Sequence, residues 1–280
     1  MKGIMIQGTS SNSGKSFIVT GLCRLFADMG LNVCPFKSQN MSSNSFILPD
    51  GLEISHAQAL QAQAARQTPQ VFMNPIMLKP QHNTSSQIIL NGKLYAPTTA
   101  NYRNFTQTIG IQTVRVSLSL IAQNFDAVII EGAGSPAEIN LNAWEIVNMR
   151  IAREADVPVI LVADVDRGGA LASVVGTLEL LGNDRPRVRG IIYNMFRGDI
   201  ELFRDAVEWT EKYTGVSVLG VLPFMEDVYL PPEDSLSFPN EGASGVGEAF
   251  GKIAASLRNN LDVDEIIRLA LHEDTMPLHG

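Results

Sequence analysis

The sequence is poor in three things, and each shortage removes a class of protein. Two of its 280 residues are cysteine, Cys23 and Cys34. Neither has a metal-ligand partner at short spacing, so both read as buried thiols rather than ligands or nucleophiles. Positive charge is also scarce: 21 Lys and Arg stand against 29 Asp and Glu, a net charge of -8. A nucleic-acid footprint needs a basic face, and this balance argues against one. Long apolar runs are the third absence. None approaches the ~18 residues of a membrane helix, and the chain opens on a strand and a glycine loop rather than a signal peptide. No internal repeat or low-complexity tract is present. The expectation is a soluble, cytoplasmic protein of one large or two small domains, with 45% hydrophobic residues to build its core.

What is present is organised around residues 2–20, KGIMIQGTSSNSGKSFIVT. Ile4, Met5 and Ile6 make a buried strand. Gly8 to Gly14 is a Gly/Ser/Thr/Asn loop, and Lys15 and Ser16 open a helix that turns Phe17, Ile18, Val19, Leu22 and Leu25 inward. Strand, glycine loop, Gly-Lys-Ser and helix form a phosphate cradle. The first turn of a helix has unpaired N–H groups and a positive dipole end, which attract an oligophosphate. Lys15 supplies a point charge to the outer phosphates, and the Ser16 hydroxyl can ligate a phosphate-bound Mg²⁺. The nucleotide set is therefore Gly8, Thr9, Asn12, Ser13, Gly14, Lys15, Ser16 and Phe17. Five residues, not the usual four, separate Gly8 from Gly14.

Downstream, strands alternate with helices. Strands are expected at 31–36, 125–130, 157–163, 188–193 and 216–221. Helices are expected at 53–66, 101–124, 144–155, 169–181, 200–214, 247–257 and 262–270. The Val/Ile/Leu runs show little polar alternation, as in strands buried on both faces. The fold class is α/β, a doubly wound, mostly parallel sheet of the phosphate-loop NTPase kind. Residues 1–236 read as this domain. Residues 237–280 read as a linker, preceded by the Pro-rich shift at Pro231, and a helical tail on the same domain.

In such a sheet, ligands sit beyond the carboxyl ends of the strands. After the second strand, Lys37 stands where a second lysine would face the γ-phosphate. Ser38, Gln39, Asn40 and Asn44 form a dense polar loop suited to a polar ligand. Glu53 reads as opening the next helix, either as a dipole partner or as an Mg²⁺ ligand. MNPIMLKPQHNTSSQ reads as a loop in which Lys79, with Gln81, Ser85 and Gln87, recognises a carboxylate, and His82 as a surface residue. Glu131 ends a buried strand ahead of Gly-Ala-Gly, and a buried carboxylate needs a cation or donors. It reads as a metal ligand or water-orienting group. Glu138 and Asn140 follow as substrate contacts or loop caps. Asp164, Asp166 and Arg167 precede a glycine pair, with Arg167 either binding a substrate carboxylate, in its own chain or across a dimer interface, or pairing within its loop. Asn194 has the amide suited to a nucleobase edge. Arg197 either stacks on the base or pairs with Asp199, and Pro223 walls the base pocket.

Together these stretches resemble the cobyric acid synthase family in its ATP-dependent amidoligase domain. The matching pieces are QGTSSNSGKS, PFKSQNMSSNS, HAQALQAQA, MNPIMLKP, VIIEGAGSPAEINL, IVNM, LVADVDRGG, GTLELL, NMFRGD and GVLPF with PPEDS, over roughly residues 1–236. The wider superfamily includes dethiobiotin synthetase and cobyrinic acid a,c-diamide synthase. The resemblance implies that ATP phosphorylates peripheral carboxylates of a corrinoid and that ammonia then displaces the phosphate. Carried over, Lys15 and Lys37 stabilise the transferring phosphoryl group, with Glu131 as the third catalytic residue. Ser16, Glu53 and Glu131 hold Mg²⁺, and Asn194 and Arg197 contact adenine. Ser38, Gln39, Asn40, Lys79, Glu138, Asn140, Asp166 and Arg167 make up the substrate set. A homodimer is implied by family analogy.

The family continues into a glutaminase domain, which needs a cysteine nucleophile and a distant histidine. Both cysteines here lie in the nucleotide fold, and His272 and His279 sit in a terminal tail. The implication is a separate glutaminase subunit or free ammonia, and the helical tail favours a stand-alone chain. Three other readings stay open. One is a dethiobiotin synthetase-type or other tetrapyrrole carboxylate ligase. Another is a ParA/MinD-type ATPase switch, which carries an extra lysine early in the loop where this chain has Thr9, Ser10 and Ser11. The third is a non-catalytic tetrapyrrole carrier, against which intact Lys15, Ser16 and Glu131 argue.

Overall fold

The computed structural model describes residues 1–43, 45–81, 86–97, 102–228, 230 and 244–272. Asn44, His82, Ser85, His279 and the Pro-rich segment with the proposed domain boundary lie outside them.

In chain order, β1 (Gly3–Gly8) and α1 (Lys15–Asp28) lead to β2 (Val33–Phe36), β3 (Gln39–Met41), β4 (Ser45–Ile47) and β5 (Glu53–Ser55). Helix α2 (His56–Ala64) precedes β6 (Ile76–Pro80), β7 (Ser86–Leu90) and β8 (Lys93–Pro97). Then come α3 (Tyr102–Phe105), α4 (Ile111–Asn124), β9 (Ala127–Glu131), α5 (Met149–Ala155), β10 (Val159–Asp164) and α6 (Ala170–Leu180). The remainder is β11 (Val188–Phe196), α7 (Arg204–Thr214), β12 (Val218–Pro223), α8 (Ser244–Asn260) and α9 (Val263–Leu271).

Six strands form one parallel sheet in the order β12-β11-β10-β1-β9-β2. The chain leaves β1 toward β2 on one side, returns through β9, and continues through β10 on the other side. The loop after β1 therefore sits at the switch point, where ligands bind in open α/β sheets. Side chains of β1 alternate between two apolar layers. Met5 faces the layer built with Ile111, Val114 and Ile121 of α4, Ile151 of α5 and Val174 of α6. Ile4 and Ile6 face the layer built with Ile18 and Leu22 of α1, Leu60 of α2, Ile253 and Leu257 of α8 and Ile266 of α9. Helices thus cover both faces, which is why the parallel strands read as unbroken apolar runs. Helix α9 is capped as its acidic first turn suggests, with the Asp262 side chain accepting from the Glu265 N–H.

The structure corrects the reading of residues 37–97. Much of this stretch is sheet, not loop. Strands β3, β6, β7 and β8 form a four-stranded mixed sheet in that order, and β4 pairs antiparallel with β5. Lys79 lies within β6, opposite Gln87. The segment 53–66 is helical only from His56: Ser55 is the N-cap, and Glu53 lies in β5. The expected helix at 144–155 begins at Met149, and β11 extends through Asn194 to Phe196.

Cys23 and Cys34 are both free and fully buried. Burial, and for Cys23 the nearby Glu131 charge, pushes both thiols well above their ordinary value. The thiolate is the reactive form. Native protein should therefore leave both unmodified by an aromatic disulfide reagent at pH 8, and unfolding should release both at once. Rapid native labelling of either would contradict this packing.

Candidate nucleotide and phosphoryl-transfer site

The phosphate loop turns into α1 through Gly14, which sits at φ +92°. A Cβ there would meet Asn194 Nδ2 at 2.0 Å, so both the backbone conformation and the space require glycine. No side chain caps α1, and its first turn contains no acid. The opening N–H groups and the positive dipole end are left to an anion. Asn194 Nδ2 donates to the Ser13 carbonyl at 2.9 Å, tying the loop to β11. The next residue, Met195, holds the left-handed value φ +64°, unusual for a non-glycine side chain.

Four side chains converge at the carboxyl end of β9. Glu131, 1% exposed, accepts at Oε1 from Ser16 Oγ (2.8 Å) and Lys37 Nζ (2.9 Å). Its Oε2 accepts from Gln61 Nε2 at 2.5 Å. Burial raises the Glu131 pKa, but the Lys37 charge and the hydrogen bonds from Lys37, Gln61 and Ser16 outweigh it, leaving the carboxyl below its ordinary value. Lys15 bridges two loops, with Nζ donating to the Ser10 carbonyl (3.0 Å) and the Gly134 carbonyl (3.1 Å). Asn148 holds the Gly-rich turn after Glu131: its Oδ1 accepts from the Ala133 N–H and its Nδ2 donates to the Ala133 carbonyl. These groups border a cleft of roughly 690 Å³ with the phosphate loop on one wall and Glu131–Gly134 on another. Asn40 and Met41 of β3, Ala57, Leu60 and Gln61 of α2, and Val228 and Leu230 line it as well.

The comparisons with known proteins bear on this arrangement. The family described as "CobQ/CobB/MinD/ParA nucleotide binding domain" matches residues 4–238. The chain belongs to that family. It is also 46% identical to a cobyric acid synthase of Geobacillus kaustophilus (strain HTA426), over 98% of this chain and 57% of that protein. Identity is 51% with a cobyric acid synthase of Moorella thermoacetica, over 90% of this chain and 49% of that one. With the Vibrio parahaemolyticus cobyric acid synthase it is 44%, over 97% and 54%. The chain spans about half the length of the curated relatives it matches.

Within this nucleotide-binding domain, the anticipated site residues divide into groups. Asn12, Gly14, Lys15, Ser16, Phe17, Lys37, Asn40 and Glu131 line the cleft. Gly8 ends β1. The Thr9 N–H bonds to the Val162 carbonyl, and Ser13 is fully buried. Others are engaged elsewhere. Ser38 Oγ donates to the Ile146 carbonyl at 2.5 Å, and Gln39 accepts from the Tyr102 hydroxyl. Glu53 does not line the cleft. It accepts from Lys79 of β6 and from Ser45 of β4, its neighbour in the two-stranded ladder. Partial burial raises its pKa, but those two donors and the lysine charge bring it below the ordinary value.

Glu138 and Asn140 are exposed. Arg167 pairs with Asp164 inside its own loop at 3.2 Å. Arg197 pairs with Asp166 (3.0 Å) and Glu226 (3.1 Å), not with Asp199, and lies 3.5 Å over the Phe224 ring. Asp199 instead caps the turn at Glu201. Pro223 is exposed at the end of β12 and does not line the cleft.

Gln61 and Asn148 are the residues of this arrangement that the pattern reading overlooked. For Gln61 a signal existed. Gln58 and Gln61 stand three apart on α2, whose other residues are largely Ala and Leu, and both are fully buried. Polar side chains on a buried helix face have partners to serve.

Among the described residues no group of three or more His, Cys, Asp or Glu side chains gathers to hold a metal. The Ser16 hydroxyl and the Glu131 carboxylate are hard oxygen donors 2.8 Å apart on the cleft wall. That sparse set fits Mg²⁺, which keeps several waters and takes one or two protein ligands plus substrate phosphates.

Proposed function

We propose that this chain performs the ATP-dependent synthetase half of a cobyric acid synthase-type amidoligase, converting peripheral carboxylates of a corrinoid to amides in cobalamin biosynthesis. The supporting observation is the convergence of Lys15, Ser16 and Lys37 with the buried Glu131 on one cleft at the opening of α1. The 44–51% identity with cobyric acid synthases supports the substrate class. In the first step, a substrate carboxylate oxygen bonds to the γ-phosphorus of ATP, and the bond from that phosphorus to the β,γ-bridging oxygen breaks. ADP leaves and an acyl phosphate remains. Ammonia, free or delivered by a glutaminase, then attacks the acyl carbon. Phosphate departs with the electron pair, and the nitrogen loses a proton to give the amide.

The chain's own part is positioning and charge neutralisation. The α1 N-terminus and Lys15 hold the phosphates. Lys37 balances charge on the transferring group, and Ser16 and Glu131 would hold Mg²⁺, which supplies further neutralisation at the phosphate oxygens. Asn40 is the cleft-lining candidate for the substrate side. Arg167, exposed beyond its pairing with Asp164, is the candidate for completing the site from a second copy. The cytoplasm, where ATP is available, is the proposed location.

The test is incubation with ATP, Mg²⁺, an ammonium salt and a cobyrinic acid diamide, followed by mass spectrometry. ADP release should accompany a loss of 1 Da per converted carboxylate, the difference between –OH and –NH₂. ATP turnover without a change in corrinoid mass would overturn the substrate assignment.

A further inference from the structure

Gln61 is bound to the site through one end of its amide only. Its Nε2 donates to Glu131 Oε2 at 2.5 Å. Its Oε1 is buried and has no partner among the described residues. Among the described residues, Gln61 is the one cleft-lining side chain that carries such an orphaned buried atom. The orientation of the amide is forced, because exchanging its ends would set a carbonyl oxygen against the carboxylate. A buried acceptor without a donor carries the full penalty of its lost hydration. It is therefore costly to keep unless something that enters the cleft supplies the donor.

We infer that Gln61 is a positioning residue for the divalent cation of the nucleotide. Its NH₂ fixes the Glu131 carboxylate, and its carbonyl oxygen accepts a hydrogen bond from a water carried by the cation. Mg²⁺ dehydrates reluctantly and keeps several waters, whose protons need acceptors. Outer groups of this kind orient the ligands and set metal affinity. Ser16 and Lys37 donate to Glu131 Oε1, and Gln61 donates to Oε2. The helix also suits the role. Ala57, Leu60, Ala62 and Ala64 lock α2 into the core, and a side chain on it has little freedom to drift.

This inference rests on the reading that a magnesium nucleotide occupies the cleft, and not on the corrinoid. The experiment is accordingly one of binding. A fluorescent ATP analogue is titrated into the full chain in excess Mg²⁺ and in EDTA, for the wild type, Gln61→Met and Gln61→Glu. Wild type should bind more tightly with Mg²⁺. Gln61→Met, close in volume but unable to donate or accept as an amide does, should lose about 10–100-fold in Mg²⁺-dependent affinity, with its EDTA affinity unchanged. Gln61→Glu, which keeps an acceptor but replaces the donor with a carboxyl oxygen set against Glu131, should not recover the Mg²⁺ dependence, and full recovery would overturn the role given to the NH₂. Equal losses in Mg²⁺ and EDTA would mean a merely structural role and would overturn the inference, as would an unaltered Mg²⁺ response. Should Gln61→Met not fold, Gln61→Asn, one methylene shorter, is read by the same criterion. A wild type indifferent to Mg²⁺ would overturn the nucleotide reading itself, and this inference with it.

Discussion

Lys15→Ala should lower turnover by about 10³-fold, the scale seen when a charge that stabilises a transferring phosphoryl group is removed. The variant should fold. Lys15 Nζ donates to the Ser10 and Gly134 backbone carbonyls, which belong to loops outside the hydrophobic layers of the fold. Gly134 lines the cleft, where water can replace the ammonium at a cost near 1 kcal/mol. ADP release measured beside a thermal melt separates the two effects. A folded variant with wild-type turnover would show that phosphate transfer happens somewhere other than the opening of α1.

Lys37→Met acts through stability as well as catalysis. Lys37 and Glu131 form an ion pair with both side chains nearly inaccessible to water. Removing one partner of such a pair leaves an uncompensated buried charge and costs about 3–5 kcal/mol, a large share of the roughly 5–15 kcal/mol that holds a domain together. The pH dependence should change sign. In the wild type, the Glu131 pKa is lower in the folded protein than its ordinary 4.5. Its contribution is therefore fully present above that pH, and is lost as pH falls through the lower folded value. Burial is already the largest single influence, and without the charge and hydrogen bond of Lys37 only the Gln61 and Ser16 hydrogen bonds oppose it, so the carboxyl is raised instead. The variant's deficit should then be smallest below about pH 4.5 and grow as pH rises. Urea unfolding from pH 4 to 8 distinguishes the two slopes. Parallel curves would mean that the ion pair contributes nothing to the difference between folded and unfolded states.

The sequence made the central sheet legible because its strands are buried on both faces and its helices are amphipathic. The periods of the two patterns differ enough to separate them. The phosphate loop and Glu131 were legible for a different reason: each lies at the end of an apolar run, where the topology puts function. The second sheet was not. Its strand β3, like β4 of the separate β4–β5 ladder, is three residues long, and QNM and SFI carry no alternation long enough to reveal a face. Strand β6 ends at Pro80, which lacks an N–H and reads as a loop signal, although at a strand terminus it loses no interior ladder bond.

Glu53 was misread because an acid before an Ala-rich run looks like a helix start, while Ser55 two residues later is the cap. Its real partner, Lys79, is 26 residues away and reaches it through the folding of the second sheet. Arg197 shows the same limit. Asp199 is close in sequence, but the strand geometry delivers the guanidinium to Asp166 and Glu226.

One contact on the far side of α1 bears on how firmly the site is held. At Gly21 a Cβ would stand 2.5 Å from both Ile253 Cγ2 and Leu257 Cδ1, so the bare backbone allows α8 to lie flush along α1. The helix whose first turn faces the cleft is thereby braced from behind by another seventeen residues long. A braced helix has less orientational freedom to surrender when a ligand arrives. Part of the entropy of association is thus already spent during folding.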